Sequence, residues 1–203
     1  METLHNDRLS IEVSSLGAEL QSIKDGDGKE YLWQGDDKYW GRRSPILFPI
    51  VCGLWKGTYR TEGDPVKGVL RFDNPNPIDR IYGNHDGCIT TDRYPLPTLE
   101  GGLMPFTEET FKDDAIVIDH CQLHSIEILD PQDARPVVTV KFNTPCVGIW
   151  TPYGKNAPFI CLEPWYGVHD RYEFSGQFRD KYLMNHLQPG ASFMSEYVIR
   201  IGE

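Results

Sequence analysis

Short strand-like runs, separated by residues that interrupt strands, set the fold class of this 203-residue chain. The runs are rich in β-branched and aromatic residues, and several alternate apolar with polar positions, which is typical of β-strands. They lie at 8–14, 18–24, 30–33, 45–51, 68–72, 115–119, 125–129, 137–142 and 195–201. The pattern predicts a mainly β protein, an antiparallel β-sandwich in a single domain spanning 1–203.

The segments between these runs favour turns and loops. Residues 24–30 (KDGDGKE) predict a hairpin turn. Residues 72–87 and 94–105 are rich in Pro and Gly and are predicted to be loops, because Pro cannot donate a ladder hydrogen bond. Helical signals are few. Residues 106–115 predict one or two turns capped by Thr107, and 36–40 predict another short turn of helix.

Charge and cysteine usage limit the classes of partner. The formal net charge of −10 disfavours nucleic acid and anionic membranes and favours a neutral ligand. Five cysteines without C-x-x-C spacing indicate reduced thiols of a cytoplasmic protein. The N-terminal residues do not resemble a signal peptide, and no apolar run approaches membrane-spanning length.

Two patterns raise the question of a metal site. His120 and His124 have i, i+4 spacing, but they lie between two strand-like runs, where a turn is favoured over a helix that binds metal. Asp25 and Asp27 resemble part of a calcium loop whose later ligands are missing, so a turn is again favoured. The glycine-rich nucleotide motifs, the serine-hydrolase motif and H-E-x-x-H are absent from the sequence. No metal ligand is assigned.

The densest aromatic region, 150–170, contains one conspicuous carboxylate. Residues 159–162 (FICL) predict a buried strand with Glu163 at its end, and Pro164 keeps the preceding residue extended. Burial among aromatic side chains would raise the pKa of Glu163 and suit it to general-base catalysis. The alternative is a structural ion pair with Arg or Lys. Arg42 and Arg43 present a similar choice between contacting sugar hydroxyls and packing over surface aromatics.

Four segments of the sequence resemble aldose 1-epimerases of the LacX-like branch of the galactose mutarotase-like superfamily. They are VSSLGAELQSIK, YWGRRSPILFPIVCG, GIWTPYGKNAPFICLEPWYG and LQPGASFMSEYVIRI, and the resemblance covers about 1–60 and 68–203. It implies a β-supersandwich that interconverts the α and β anomers of free aldoses without a metal or organic cofactor. It places the general base on Glu163 and a sugar-contacting arginine on Arg43, and it suggests Trp165 and Asp170 as lining residues.

The sequence departs from this resemblance near residues 61–67. Two family motifs, R-H-G-F-A-R-like and H-P-x-F-N-like, are absent, which predicts an internal deletion at this point. The second motif supplies the family's acid histidine, so no position here inherits that role, and His85 and His169 are the histidines to inspect.

Three hypotheses follow from this departure: an aldose 1-epimerase-like isomerase with Glu163 as base, a non-catalytic carbohydrate-binding protein, or a truncated domain without function. A homodimer is a further prediction, since it would cover sheet edges that a deletion exposes.

Overall fold

The computed structural model describes residues 1–45, 67–82 and 87–202. Residue contacts divide the chain into two compact units. The described residues 1–45 belong to the first unit, and the remaining described residues belong to the second. Within the described residues, no helix is long and apolar enough to cross a membrane.

The first unit is built on a three-stranded antiparallel sheet. Its strands are β1 (Glu2–His5), β2 (Leu9–Val13) and β3 (Leu20–Asp25), in that order across the sheet. Strands β2 and β3 and the turn after β3 were predicted. In that turn the Gly28 N–H donates to the Asp25 carbonyl.

The strand predicted at 30–33 is wrong, because only an isolated bridge forms there, between Lys24 and Glu30. The Glu30 carboxylate accepts hydrogen bonds from the N–H groups of Ile23 and Leu32 and from the Ser22 hydroxyl. These side-chain bonds take the place of a regular ladder. Residues 36–40 form a single turn, in which the Trp40 N–H donates to the carbonyl of Asp36. The run predicted at 45–51 lies outside the described residues after position 45.

The described part of the second unit contains two five-stranded antiparallel sheets. The first has the order β13-β10-β9-β4-β7 and the second the order β12-β11-β8-β5-β6. The strands of the first sheet are β4 (Lys67–Phe72), β7 (Leu103–Thr107), β9 (Ser125–Leu129), β10 (Pro136–Phe142) and β13 (Tyr197–Ile201). Those of the second are β5 (Ile78–Tyr82), β6 (Arg93–Leu96), β8 (Ile116–Ile118), β11 (Cys146–Trp150) and β12 (Cys161–Trp165).

The main core lies between these two sheets. Buried side chains from both sheets form one apolar cluster, to which β8 contributes Ile116 and Ile118. Val117, between them, faces the opposite side of its sheet and belongs to a second apolar cluster. The predicted antiparallel sandwich is therefore confirmed. The second sheet buries side chains on both faces, and its outer face carries the candidate site.

Two predicted loops contain strands that sequence reasoning missed. Residues 72–87 include β5, and residues 94–105 include most of β6 and the start of β7. Pro95 lies in β6 and Pro105 in β7, and each of these strands is the edge strand of its described sheet. An edge strand tolerates Pro because its outward-facing backbone needs no partner.

The helix predicted at 106–115 is reduced to one short turn of 3-10 helix, Glu108–Phe111. Thr107 precedes it as predicted, and its N–H donates to the hydroxyl of Thr110.

Candidate active site

Glu163 lies in the middle of β12, and its neighbours on the same face are Cys161 and Trp165. The predicted strand 159–162 is therefore shifted: β12 begins at Cys161 and continues through Glu163 and Pro164. Pro164 fits because β12 is an edge strand of the described sheet. Alternation along the strand points residues 161, 163 and 165 to one face, toward the second apolar cluster.

The Trp165 indole fixes one oxygen of the Glu163 carboxylate. Its Nε1–H donates to Glu163 Oε2 at 3.1 Å, and the Trp165 side chain is almost wholly buried, with 6% of its surface exposed. A carboxylate held by a buried, rigid donor has little freedom to rotate.

Gly148 makes room for this indole. It lies directly opposite Glu163 in the antiparallel register of β11 and β12. A Cβ at position 148 would lie 2.5 Å from Cζ2 of the Trp165 ring. The indole therefore lies across the space that any other residue at 148 would fill, and this glycine is a requirement of the site.

Burial raises the pKa of the half-buried Glu163 carboxyl. The hydrogen bonds from Trp165 and from the Cys161 thiol act in the opposite direction, and the nearby Asp114 carboxylate raises the pKa further. Within the described residues, no Lys or Arg nitrogen lies within 4.0 Å of Glu163. Among the described residues, the Trp165 indole and the Cys161 thiol contact this carboxylate, and a cationic side chain does not. A carboxylate with a raised pKa is suited to accepting a proton near neutral pH.

His169 follows β12 and packs against the same indole. The ring centroids of Trp165 and His169 lie 6.0 Å apart at an interplanar angle of 73°. His169 Nδ1 is buried and has no hydrogen-bond partner among the described residues. Burial lowers the pKa of His169, whereas the carboxylates of Asp114 and Asp170 act to raise it. The other histidine named from the sequence, His85, lies outside the described residues.

Asp170 is exposed, and its contacts fix the chain after β12. Its carboxylate pairs with the Lys181 ammonium at 3.0 Å, and its backbone carbonyl accepts the N–H of Ile89. Asp170 is therefore close to the site in sequence but already engaged with Lys181. Its role in binding sugar stays a prediction.

Arg43 is exposed and belongs to the first unit, whereas Glu163, Trp165 and Asp170 belong to the second. It precedes Ser44, which is tied to the first sheet by a bridge to Leu20. Its predicted contact with a sugar also stays a prediction.

Sequence reasoning missed a second carboxylate on this sheet, Asp119, just after β8. Asp119 is buried, receives two hydrogen bonds from Arg93 at 2.8 and 3.2 Å, and accepts another from the Tyr182 hydroxyl. Burial raises its pKa, but these hydrogen bonds outweigh burial and lower it overall. The sequence did contain one signal, an acid at the end of the apolar run in AIVID (115–119). Arg93 and Tyr182, which bind this acid, are distant from it in the chain and gave no signal.

Three comparisons relate this chain to known proteins. A family model described as aldose 1-epimerase matches residues 2–79. The chromosomal and plasmid LacX proteins of Lactococcus lactis subsp. lactis are each 56% identical over 72 residues, which cover 34% of this chain and 24% of the relative. The match thus spans about a quarter of the length of these curated relatives.

Two solved structures share the fold over nearly the whole chain. A galactose mutarotase related enzyme from Lactobacillus acidophilus is similar with a TM-score of 0.82 and 21% identity, covering 100% of this chain and 97% of its own. A galactose mutarotase-like protein from Lactobacillus casei ATCC 334 is similar with a TM-score of 0.79 and 18% identity, covering 98% of each chain.

The sequence matches confirm the resemblance to aldose 1-epimerases of the LacX-like branch over N-terminal residues, and the solved structures confirm the galactose mutarotase-like fold. The family model matches the N-terminal residues and does not include the segment GIWTPYGKNAPFICLEPWYG, on which the resemblance places the general base. Glu163 lies outside the matched range.

Proposed function

Because this chain is aldose 1-epimerase-like in sequence and galactose mutarotase-like in fold, we propose that it interconverts the α and β anomers of a free aldose, with Glu163 as general base. The observation that supports the proposal most directly is the carboxylate itself. Glu163 is half-buried, has a raised pKa and is oriented by the Trp165 indole.

The chemistry requires a proton acceptor at the anomeric hydroxyl. Glu163 accepts the proton from the hydroxyl on C1, the bond between C1 and the ring oxygen breaks, and C1 becomes a carbonyl carbon, while the ring oxygen takes up a proton from an acid or from water and becomes a hydroxyl. Rotation about the C1–C2 bond and closure on the other face give the other anomer. A positioned acid or base contributes about 10²–10⁴-fold to such a step. The two anomers are isomers, so opening and closing the ring moves only protons.

The proposed substrate is a neutral sugar. The net charge of −10 disfavours an anionic sugar phosphate. In the proposal Asp170 contacts a sugar hydroxyl. Trp165 supports the site by holding Glu163, because its nearly complete burial leaves little of its ring free to contact a ligand.

An anomer-equilibration assay tests the proposal. Freshly dissolved α-glucose or α-galactose is followed by polarimetry or ¹H NMR with and without protein. We expect a rate above the spontaneous one, and a loss of about 10²–10⁴-fold of this excess in Glu163→Gln. The matched control is Glu100→Gln, because Glu100 is exposed in the short 3-10 turn Glu100–Gly102 and its carboxylate has no hydrogen bond or ion pair among the described residues. A spontaneous rate unchanged by wild-type protein refutes the enzymatic function.

A second function, sugar binding without turnover, is favoured by the absence of the family's histidine motifs from the sequence. Calorimetric titration with the same sugars separates the two. Binding without acceleration supports the second function, and the absence of binding refutes both.

A further inference from the structure

We propose that His169 is the second proton-transferring group of the site and acts beside Glu163 on the same sugar. This inference rests on the proposed function and names a residue that the sequence resemblance does not supply. The opening of a sugar ring needs one group that accepts the proton of the C1 hydroxyl and another that donates a proton to the ring oxygen.

The Trp165 indole brings the two groups together. Its Nε1 edge bonds the Glu163 carboxylate, and its ring packs edge-on against the His169 imidazole. The negative charge of the Asp114 carboxylate acts to raise the pKa of both Glu163 and His169. One buried aromatic side chain therefore positions two titratable groups on one region of the second unit.

The unsatisfied nitrogen of His169 argues for a role beyond packing. Nδ1 is buried without a partner among the described residues, although most buried polar groups in folded proteins are paired. Since the residue as a whole is only half-buried, Nε2 is the nitrogen left accessible to a bound molecule. With no acceptor at Nδ1, the imidazolium is poorly stabilised and gives up its proton readily.

The groups around His169 act on its pKa in opposite directions. Asp114, which precedes β8, and the adjacent Asp170 favour the imidazolium, whereas burial and the Lys181 ammonium favour the neutral ring. Burial also favours the neutral form of Glu163, so the pKa values of the two groups are shifted toward each other. A proton then moves from one to the other, by way of the sugar, with a small change in free energy.

The proton balance closes over one catalytic cycle. In ring opening, the Glu163 carboxylate takes the proton of the C1 hydroxyl, the bond from C1 to the ring oxygen breaks, and His169 gives its proton to that oxygen. In ring closure on the other face, His169 takes the proton back from the attacking hydroxyl and Glu163 returns its proton to the oxygen on C1. No other reactant is consumed.

Two substitutions separate proton transfer from packing. His169→Gln keeps a hydrogen-bonding group at the Nε2 position but transfers no proton, and His169→Phe keeps a ring against Trp165. We expect both to lower the excess rate of anomer equilibration by about 10²–10⁴-fold. His169→Gln should also lose one limb of the pH–rate profile. His186→Gln is the matched control, because His186 is exposed on the same segment.

Full activity in His169→Gln, with an unchanged pH–rate profile, would overturn the inference while leaving the proposed function intact. A measurement independent of turnover covers the case of an inactive wild type. The ¹⁵N-labelled His169 side chain should shift on titration with glucose or galactose, whereas His186 should not. An inactive wild type refutes the proposed function, and an unshifted His169 signal in a sugar-bound protein refutes the inference.

Discussion

Gly148→Ala is the smallest change that should disable the site without touching a reacting group. The new methyl carbon would lie 2.5, 2.8 and 2.9 Å from three carbons of the Trp165 ring. Carbon atoms in contact prefer about 3.5–4.0 Å, so the indole must move by about 1 Å. The backbone at 148 is not in a conformation reserved for glycine, so the steric contact is the whole perturbation.

The magnitude follows from the hydrogen bond that the ring carries. Trp165 Nε1 lies 3.1 Å from Glu163 Oε2, near the upper limit of about 3.2 Å for a good N–H···O bond. A displacement of about 1 Å breaks it. Overpacking costs about 1–3 kcal/mol of unfolding free energy. A misplacement of about 1 Å at a reacting group costs about 10²-fold in rate.

The assay combines two readouts, the anomer-equilibration rate and the pKa of Glu163 from ¹³C NMR of its carboxyl carbon. We expect Gly148→Ala to lower the rate and to raise the pKa, because the lost hydrogen bond is one that lowers it. Trp165→Phe, which keeps a ring but lacks the donor, should raise the pKa in the same direction.

Gly26→Ala controls for the substitution itself, since no described atom lies within 4 Å of a Cβ at that position. A Gly148→Ala protein that is destabilised but keeps the wild-type pKa of Glu163 would show that the Trp165 indole does not control this carboxylate.

Three further predictions concern stability. Folding raises the pKa of Glu163, so the folded protein binds the proton of this carboxyl more tightly than the unfolded chain does. The free energy of unfolding therefore falls as the pH rises from about 4.3, the unfolded value, through the pKa of the folded state. Glu163→Gln should therefore be more stable than wild type at pH 7–8 and equal to it below pH 4 in urea unfolding; equal stability at pH 8 would contradict this. Folding lowers the pKa of Asp119. The ionised carboxylate therefore stabilises the folded protein above about pH 3.9, and this stabilisation is lost as the pH falls through the pKa of the folded state. Asp119→Asn should cost about 2–3 kcal/mol at pH 7 and flatten the acid limb of the stability curve, and an unchanged acid limb would count against it. Tyr182→Phe should cost about 1–2 kcal/mol by thermal unfolding at pH 7, since it removes one hydrogen bond to the same carboxylate, and a Tm equal to that of wild type would exclude this role.

Local patterns in the sequence predicted strands whose residues alternate between apolar and polar or are β-branched. Residues 125–129 and 137–142 coincide with β9 and nearly with β10, because alternation and β-branching act over a few neighbouring residues. The same patterns failed at Pro95 and Pro105, where the edge position of the strand decides the outcome. An edge is a property of the whole sheet and cannot be read from a local window.

The candidate site was predictable only in part for a related reason. Glu163 stood out because a lone acid among aromatic residues is uncommon, and its raised pKa follows from that setting. Gly148 gave no signal: its importance arises from the register that places it opposite Glu163. The strand β11 that carries it was not predicted either, because Gly148 interrupts its apolar residues and weakens the strand pattern.

The hydrogen bond between Tyr182 and Asp119 has a consequence for the order of folding. It joins residues 63 positions apart in the chain, and it fastens the long irregular segment that follows β12 to the sheet. Closing a loop of this length is entropically costly until distant contacts can form, so such contacts tend to form late. His169 lies within that loop. During refolding, the circular dichroism of the sheets should therefore recover before the proposed anomer-interconverting activity does.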